Sequence, residues 1–389
     1  MRMSGRHFLQ IPGPSNCPTP VLAALAKPTI DHRGPEFRAL IEGLLPKVAG
    51  IFATKNPVVI FPSSGTGAWE AALVNTLSPG DRILMYETGW FAKLWSDLAE
   101  RLGLLPEVIR GDWRGGADPA AIAARLKADH AHEIKAVCVV HNETSTGAVT
   151  SVPQIRAAID EAEHSSLLLV DTISSLGSLD YRHDEWGVDV TISGSQKGLM
   201  LPPGISFNAV SDRALDASGA ASHMRSYWDW APIIEANEKG LFPYTPNTNL
   251  LQALDVALNL MLEEGLAAIR ERHSYAGAAT RAAVRHWGLE LQCVDEAAQS
   301  DVLTAVRLPE GHSADDLRET VLARSNMSLG SGLGQLTDKV FRMGHLGDFN
   351  LPQILGMIAA VELGLTEQQI PFRPGATEAA LQELLSIGH

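Results

Sequence analysis

The chain of 389 residues has only three cysteines, and Cys17, Cys138 and Cys293 lie far apart in the sequence. Disulfide frameworks and zinc sites need cysteines at short, regular spacings, so neither is expected and no metal site is predicted. The sequence also has no uninterrupted apolar run of about 18 residues, the length that a membrane-spanning helix needs. Its amino terminus lacks the apolar segment of a signal peptide. These absences predict a cytoplasmic protein without a membrane partner.

Positive charge is scarce as well, because 31 lysines and arginines stand against 45 aspartates and glutamates, a formal net charge of -14 at pH 7. Nucleic acids and anionic membranes attract basic surfaces, so the balance argues against either as the main partner. The length exceeds what one core usually organises, since domains average roughly 150 residues. We therefore expect more than one domain.

Short apolar runs alternate with segments of helical periodicity over the first half of the chain. The runs have the length of buried strands: VVIF (58–61), RILMY (82–86), AVCVV (136–140), LLLV (167–170) and VDVTI (188–192). Helical patterns lie between them, for example at 117–128 and 152–162. This order predicts an α/β fold with a mostly parallel sheet covered by helices.

The pattern changes near residue 250. Long helices are predicted at 249–273 and 276–286, followed by shorter strands near 304–308 and 340–343 and a closing helix at 377–386. We interpret this part as a smaller α+β domain. The predicted division is a large domain over 21–250 and a small carboxyl-terminal domain over 251–389.

The stretch from Leu167 to Gly204 is the most informative. Asp171 directly follows one apolar run, and Lys197 lies in the turn that follows the next run. The carboxyl ends of neighbouring parallel strands face one crevice, where such folds bind ligands. An amine can hold the aldehyde of pyridoxal 5′-phosphate, and an acid can keep its ring nitrogen protonated. The pair therefore suits this cofactor.

Both residues also have a plainer interpretation, since Asp171 could cap a helix and Lys197 could be a solvated charge. Lys197 stands, however, between the apolar segments VDVTI and LMLPPG, which favours a partly buried site. Burial lowers the pKa of an amine, and a neutral amine can form a Schiff base.

A glycine-rich turn at 63–70 follows the strand VVIF and leads into the helical segment AWEAALVNTL. Backbone N–H groups at a helix start bind anions, so Gly65, Thr66 and Gly67 are candidates for a phosphate cradle. The turn is not a P-loop, because no GK[ST] follows it. It partly imitates the fingerprint of dinucleotide-binding dehydrogenases, but Glu70 replaces the third glycine. A dehydrogenase would also leave the lysine and the acid described above without roles.

The segments VDTISSLGS and GVDVTISGSQKGLMLPPG resemble the class V, fold type I pyridoxal-phosphate aminotransferases, in particular the branch that transfers amino groups from serine or alanine to glyoxylate. Seven further segments resemble this family in the same order: IPGPSNCP, TIDHRGPEF, FPSSGTGAWEAAL, ETGWFAKLW, HNETSTG, PYTPNTNLL and KVFRMGHLGDFN. The resemblance covers almost the whole chain. It implies transamination from a small L-amino acid to glyoxylate, with L-serine as the first choice of donor and alanine or aspartate as alternatives.

The resemblance also implies roles for individual residues. Lys197 would hold the cofactor and move protons, and Asp171 would pair with the ring nitrogen. Arg342 would bind the substrate carboxylate, near Gly13 and Asn16 of an amino-terminal segment at residues 1–20. The remaining cofactor contacts would be Gly65, Thr66 and Gly67 at the phosphate, Trp90 stacked on the ring, Thr144 near its phenolic oxygen, Ile173 and Gln196. Thr245 would reach the cofactor of a partner subunit, which implies a homodimer with shared sites.

Several alternatives stay open. Trp90 could pack in a core, and Arg342 could be a solvated charge on a strand. Either Phe242 or Tyr244 could supply an aromatic contact to the partner's cofactor. A cysteine desulfurase has the same fold and cofactor, but it needs a nucleophilic cysteine in its carboxyl-terminal part, and none follows Cys293. A non-catalytic cofactor-binding regulator would usually carry an added DNA-binding domain.

Overall fold

The computed structural model describes residues 5–387, in which short strands alternate with helices. The strands are β1 (Phe8–Gln10), β2 (Val58–Phe61), β3 (Arg82–Glu87), β4 (Leu105–Arg110), β5 (Ile134–Val140), β6 (Asn142–Glu143), β7 (Ala148–Val149), β8 (Leu167–Asp171), β9 (Val190–Gly194), β10 (Ser206–Val210), β11 (Glu290–Leu291), β12 (Leu303–Arg307), β13 (Met327–Ser331) and β14 (Val340–Gly344). The helices are α1 (Thr19–Leu25), α2 (Pro35–Phe52), α3 (Gly65–Thr76), α4 (Trp90–Arg101), α5 (Pro119–Lys127), α6 (Val152–Glu161), α7 (Asp212–Ala220), α8 (Trp230–Asn237), α9 (Thr248–Glu264), α10 (Leu266–Trp287), α11 (Ala314–Ser325), α12 (Leu351–Glu367) and α13 (Ala376–Ile387).

The larger sheet has seven strands in the order β2-β10-β9-β8-β5-β3-β4. Strands β4, β3, β5, β8 and β9 are parallel, while β10 runs antiparallel to both of its neighbours, β9 and β2. Strands β2, β8, β9 and β10 are buried over their whole length, as the continuous apolar runs of a helix-covered sheet require. The predicted mostly parallel sheet is therefore present.

Side chains of this sheet alternate between two cores. In β5, for example, Val137 and Val139 belong to one buried cluster, and Ala136 and Cys138 belong to the other. The first cluster includes side chains of α2, α6 and α9, and the second includes side chains of α3 and α4. Because both faces are covered, ligands can reach the sheet only at its ends.

A second sheet has five strands in the order β1-β13-β14-β12-β11, and its core includes side chains of helices α10 to α13. Strand β1 pairs in parallel with β13, whereas the other pairs are antiparallel. The amino-terminal strand thus joins the carboxyl-terminal part of the chain. Residues 11–16 then run from this sheet towards the end of the large sheet, where Ser15 N donates a hydrogen bond to Gln196 O at 3.0 Å.

Five strands of these sheets, β1, β4, β10, β11 and β13, were not predicted from the sequence. The helix boundaries also differ from the prediction near residue 265. The long helical pattern breaks at Gly265, whose φ of +86° is a left-handed conformation that suits glycine, and α10 then continues without interruption to Trp287. The proposed boundaries at residues 20 and 250 stay a prediction. Among residues 5–387, no helix is both long and apolar enough to cross a bilayer.

Candidate active site

A cavity of about 230 Å³ lies at the carboxyl ends of the parallel strands, where the sequence places the candidate residues. Its lining comes from the turns after β2, β3, β5, β8 and β9 and from residues 13–14. Predicted site residues in this lining are Gly13, Gly65, Thr66, Thr144, Asp171, Ile173, Gln196 and Lys197. The other predicted site residues, Asn16, Gly67, Trp90, Thr245 and Arg342, lie outside the lining that the described protomer provides.

Lys197 lies beside this cavity with a nearly buried side chain, 8% exposed. Its Nζ donates a hydrogen bond to Pro12 O, and a Cβ on Gly13 would overlap the lysine side chain. Burial, followed by the nearby Arg342 guanidinium, lowers the pKa of the Lys197 amine to about 7. A substantial share of the amine is therefore neutral near pH 7, as a nucleophile or proton acceptor requires.

Asp171 ends strand β8 and is 4% exposed. Its Oδ1 accepts a hydrogen bond from Ile173 N at 2.7 Å, and its Oδ2 accepts one from Trp69 Nε1 at 2.9 Å. Burial raises the pKa of the carboxyl group to about 7, although both hydrogen bonds oppose the shift. A cation placed against Asp171 would favour its charged form.

The turn after β2 lines the cavity where helix α3 begins. Gly65 is the first residue of this helix, and a Cβ there would overlap the side chain of Ile173. Gly67 also has no room for a side chain, because a Cβ would overlap Ser63 and come within 2.7 Å of Trp228 Cη2. The glycines thus let the start of α3 pack closely against neighbouring side chains, and N–H groups at a helix start favour an anion there.

A hydrogen bond joins Thr144, in the turn between β6 and β7, to Arg342 on β14. Thr144 Oγ1 donates to Ser174 Oγ at 2.8 Å, and Thr144 O accepts from Arg342 NH1 at 2.8 Å. Arg342 also donates through Nε to Ser331 O at 2.7 Å, so two of the five guanidinium N–H donors are held by backbone carbonyls. Burial lowers the pKa of Arg342 to about 10, which leaves it cationic at neutral pH.

The start of helix α4 does not place Trp90 as predicted. Phe91 lines the cavity, whereas Trp90 packs against Gly334, where a Cβ would come within 3.0 Å of the indole ring. Buried Glu143 sets this orientation by accepting hydrogen bonds from Phe91 N at 3.3 Å and Ala92 N at 3.1 Å. Phe91 is therefore the better candidate for the ring-stacking role that the resemblance gave to Trp90.

The amino-terminal segment contributes backbone rather than the predicted asparagine side chain. Gly13 and Pro14 line the cavity, and Ser15 Oγ donates to Lys197 O at 2.9 Å. The Asn16 amide instead makes two hydrogen bonds of 3.3 Å with the backbone of Leu9. Asn16 therefore shapes the turn that brings residues 13–14 to the cavity.

Thr245 is exposed, and its Oγ1 lies 3.5 Å from His32 Nε2. Two neighbouring aromatic residues pack within the same protomer: Tyr244 stacks on Tyr227 at 4.9 Å, and the Phe242 ring is 6.3 Å from that of Phe37. These contacts leave open which of Phe242 and Tyr244 approaches a neighbouring subunit. Among the described residues, no group of three or more His, Cys, Asp or Glu side chains could hold a metal ion.

Comparison with protein families gives a match to the aminotransferase class-V model over residues 8–340, most of the chain. The chain belongs to the class V aminotransferases. This membership confirms the resemblance noted in the sequence, the fold type I architecture, the enzyme class and the dependence on pyridoxal phosphate. Aminotransferases act on amino and 2-oxo acids, so these are the substrate classes of the enzyme.

Individual relatives are similar over nearly their whole length. The serine–glyoxylate aminotransferase of Methylorubrum extorquens is 44% identical over 390 residues, which cover 99% of this chain and 97% of the relative. The L-aspartate–glyoxylate aminotransferase of Paracoccus denitrificans is 39% identical and covers 98% of this chain and 96% of the relative. The crystal structure of alanine–glyoxylate aminotransferase from Nostoc sp. is 31% identical, with a TM-score of 0.87 over 94% of this chain and 96% of that chain.

The residues at the cavity fit pyridoxal phosphate. The nearly buried Asp171 has no lysine or arginine bound to its oxygens among the described residues, so a protonated ring nitrogen would complete its environment. The amide of Gln196, also in the lining, has a buried oxygen without a hydrogen-bond partner in the described chain. Since amide oxygen and nitrogen are interchangeable by a flip, this group can turn its N–H₂ towards an anion.

Six residues of the cavity lining were not predicted from the sequence: Pro14, Ser64, Trp69, Phe91, Val140 and Asn142. Trp69 bonds to Asp171, and Phe91 lines the wall beside it. Trp69 falls within a helical pattern, where an apolar residue usually packs in the core. Phe91 was passed over because the resemblance gave the ring-stacking role to its neighbour Trp90. A helical projection from Gly65 would have placed Trp69 one turn further along the same face.

Proposed function

We propose that this aminotransferase transfers the amino group of a small L-amino acid to glyoxylate, with L-serine as the favoured donor. The products are glycine and the 2-oxo acid of the donor, which is hydroxypyruvate for serine. The glyoxylate relatives at 44% and 39% identity support the acceptor, and the higher identity favours serine over aspartate as donor.

The observation that carries the proposal is a largely buried amine of lowered pKa with a buried guanidinium close enough to influence it. Arg342 NH1 donates to Thr144 O at 2.8 Å, and Thr144 lines the same cavity as Lys197. The guanidinium also helps to lower the pKa of Lys197 to about 7. A guanidinium binds a carboxylate through two parallel hydrogen bonds. Every amino acid and 2-oxo acid in the reaction has a carboxylate, so one Arg342 serves both half-reactions.

Pyridoxal phosphate, when bound, supplies an aldehyde that combines with amines and a ring that withdraws electrons from the substrate Cα. In this site the neutral Lys197 Nζ would hold the cofactor and, once released, would carry the proton from the substrate Cα. Asp171 would hold the proton on the ring nitrogen, and Phe91, which lines the cavity, would supply an aromatic surface for the ring. The low exposure of Lys197 and Asp171 keeps water away from these proton positions.

The phosphate end of the cofactor is assigned to the start of α3. Gly65, Thr66 and Gln196 line the same cavity, so the backbone N–H groups at the helix start and the Gln196 amide would be available to the phosphate. Thr144 also lines the cavity, and its hydroxyl would meet the phenolic oxygen. Ile173 fills the space in front of Gly65 and also lines the cavity, so its side chain would contact the ring.

Charge in the cavity supports a small uncharged donor side chain. Among the lining residues of the described protomer, Lys197 is the only cationic side chain. Because Arg342 would hold the α-carboxylate of any donor, an aspartate donor would need a further cation for its side-chain carboxylate, since burying an unpaired charge is costly. Aspartate remains the second candidate on the strength of the 39% identical relative, and alanine the third.

The proposed active unit is a homodimer, in which Thr245 contributes to the phosphate site of the partner subunit. Its exposure and its position outside the cavity of its own protomer support this assignment. We also propose a cytoplasmic location, which suits the three free cysteines.

A Lys197→Ala variant tests the chemistry. It is expected to lose the yellow colour of the attached cofactor and about two to four powers of ten in transamination rate. Lys93→Ala is the matched control, because Lys93 lies on nearby α4 but pairs with Asp97 at 2.7 Å. Retention of the parental rate by Lys197→Ala, with borohydride attaching the cofactor to another lysine, would disprove the assignment.

A panel of amino donors tests the substrates. With glyoxylate fixed and glycine measured, kcat/KM is expected to be highest for L-serine, followed by alanine or aspartate. A higher kcat/KM for aspartate than for serine would show that aspartate is the preferred amino donor to glyoxylate. No glycine from any of the three would overturn the choice of acceptor.

A further inference from the structure

Trp69 makes a direct contact with the carboxylate at the floor of the cavity. Its Nε1 donates to Asp171 Oδ2 at 2.9 Å, and both side chains are buried. Asp171 Oδ1 accepts from Ile173 N at 2.7 Å. Each carboxylate oxygen thus has one donor, which fixes the plane of the group and leaves one further lone pair on each oxygen for a ligand.

The position of Trp69 on helix α3 connects two parts of the cavity. It follows Gly65 by four residues, so the two lie one helical turn apart on the same face. Gly65 is at the anion-binding start of the helix, whereas Trp69 reaches the end of strand β8. The indole is itself held by Trp95, with ring centroids 5.8 Å apart and planes inclined by 14°.

We propose that Trp69 is a positioning residue that aims the Asp171 carboxylate at the cofactor ring and ties it to the helix that binds the phosphate. The inference rests on the proposed role of Asp171 at the ring nitrogen. It adds a rigid connection between the two ends of the cofactor site, made through one hydrogen bond.

The charges around Asp171 explain why this hydrogen bond matters. Burial raises the pKa of Asp171, and buried Glu143 raises it further, while Lys197 lowers it. The charge of Asp171 also raises the pKa of the buried phenol of Tyr181. Loss of the Trp69 hydrogen bond would raise the pKa of Asp171 further. More of the carboxyl group would then be neutral at pH 7, and a neutral carboxyl group holds a ring cation poorly.

The test compares Trp69→Phe with Trp95→Phe in the full-length apoprotein. Trp95 is the matched control because it is buried in the same stack but its Nε1 has no hydrogen-bond partner within residues 5–387. Titration with pyridoxal phosphate at several pH values gives the dissociation constant for each protein. Trp69→Phe is expected to bind about tenfold to a hundredfold more weakly at pH 7, the range for a hydrogen bond to a charged group.

The pH profile separates positioning from simple structural support. In Trp69→Phe the midpoint of cofactor binding attributed to Asp171 is expected to rise by about one pH unit or more. Trp95→Phe is expected to keep the parental midpoint. Equal loss at every pH without a shifted midpoint would overturn the inference, because it would indicate general damage to the site.

An Asp171→Asn variant distinguishes failure of this inference from failure of the proposed function. If Asp171→Asn loses affinity while Trp69→Phe binds like the parent, Trp69 has no positioning role but the site assignment stands. If Asp171→Asn binds like the parent at all pH values, both the ring placement and the inference fail.

A second measurement serves if Trp69→Phe does not fold. With ¹⁵N-labelled tryptophan in the unaltered enzyme, one indole N–H resonance is expected to follow the titration of Asp171 in the apoprotein. The same resonance should move on addition of pyridoxal phosphate and differ in Asp171→Asn. Absence of any indole resonance that responds to pH and to Asp171→Asn would overturn the proposal.

Discussion

The buried carboxylate of Asp171 would favour binding of a cationic cofactor ring, but it lowers the stability of the apoprotein. Burial raises its pKa from 3.8 to about 7 even with two hydrogen bonds that favour the ionised form. A group whose pKa is raised on folding contributes most at low pH, and its contribution is lost as the pH rises through the folded value. The unliganded enzyme therefore carries a cost above pH 7 that a cationic ring would relieve.

Asp171→Asn is accordingly expected to have opposite effects on activity and on apoprotein stability. Transamination should fall by about two to four powers of ten, because the ring proton loses its anionic partner. The apoprotein should melt at a higher temperature than the parent at about pH 8, and the difference should shrink towards about pH 5. The measurements are glycine formation and thermal unfolding at both pH values. An equal melting difference at the two pH values would contradict the assigned titration.

Arg342→Lys is expected to raise KM for both the amino donor and glyoxylate, because an ammonium cannot replace a bidentate fork. The loss in kcat/KM should correspond to about 2 kcal/mol, in the range for hydrogen bonds to charged groups. Arg318→Lys is the control, since Arg318 influences Arg342 electrostatically but bonds to Leu329 O and Asp315. Unchanged KM values together with weakened cofactor binding would make Arg342 a purely structural residue.

Helix α3 contributes its first turn to the proposed cofactor site. Gly65 faces Ile173 there without room for a methyl group. Gly65→Ala is expected to push Ile173 into the cavity and weaken cofactor binding, measured as the dissociation constant of the apoprotein. The double variant with Ile173→Val should recover part of the affinity, because the shorter side chain vacates the overlapping position.

Gly356→Ala supplies the control for this substitution. Gly356 lies within helix α12, and a Cβ there meets open space. Alanine should stabilise that helix by about 0.5–1 kcal/mol without changing cofactor affinity. If Gly65→Ala binds the cofactor as well as Gly356→Ala does, the start of α3 is not the phosphate site.

Helix α4 illustrates how a buried acid sets the direction of a helix start. Glu143 accepts hydrogen bonds from the first N–H groups of this helix and from Ser145 N at 3.0 Å. These bonds join α4 to the turn after β5, whose Thr144 carbonyl holds Arg342. Burial raises the pKa of Glu143, while its helix contacts lower it. The Glu143 carboxyl group thus connects the start of α4, which includes Phe91, to the turn whose carbonyl holds Arg342, the proposed binding residue for the substrate carboxylate.

The assembled enzyme is expected to share its active sites between two subunits. When Lys197→Ala subunits are mixed with Thr245→Ala subunits, each hybrid dimer should contain one site with both lesions and one site with neither. Activity should then rise above that of either variant alone after subunit exchange. Sedimentation gives the oligomeric state in parallel. A fully active monomer, or no gain on mixing despite exchange, would argue against shared sites.

The sequence alone determined the α/β class, the five strands of the large sheet that it predicted, and the turn that contains Lys197. These features depend on local periodicity and on apolar runs, which the chain records directly. The missed strands β4 and β10 show the limit of that signal. Strand β4, LPEVIR, lies at the sheet edge with a mixed exposure pattern, and β10 is a short segment, SFNAV, with polar residues among the apolar ones.

The resemblance added residue roles that periodicity could not supply, and most of these residues lie in the lining of one cavity. Only the tertiary structure showed that Phe91 rather than Trp90 lines it, and that Trp69 holds Asp171. The physical reason is that a side chain's direction at a helix start depends on capping contacts from distant strands. Strand order and helix packing decide which groups meet, and burial by both then sets the pKa values on which the proposed chemistry depends.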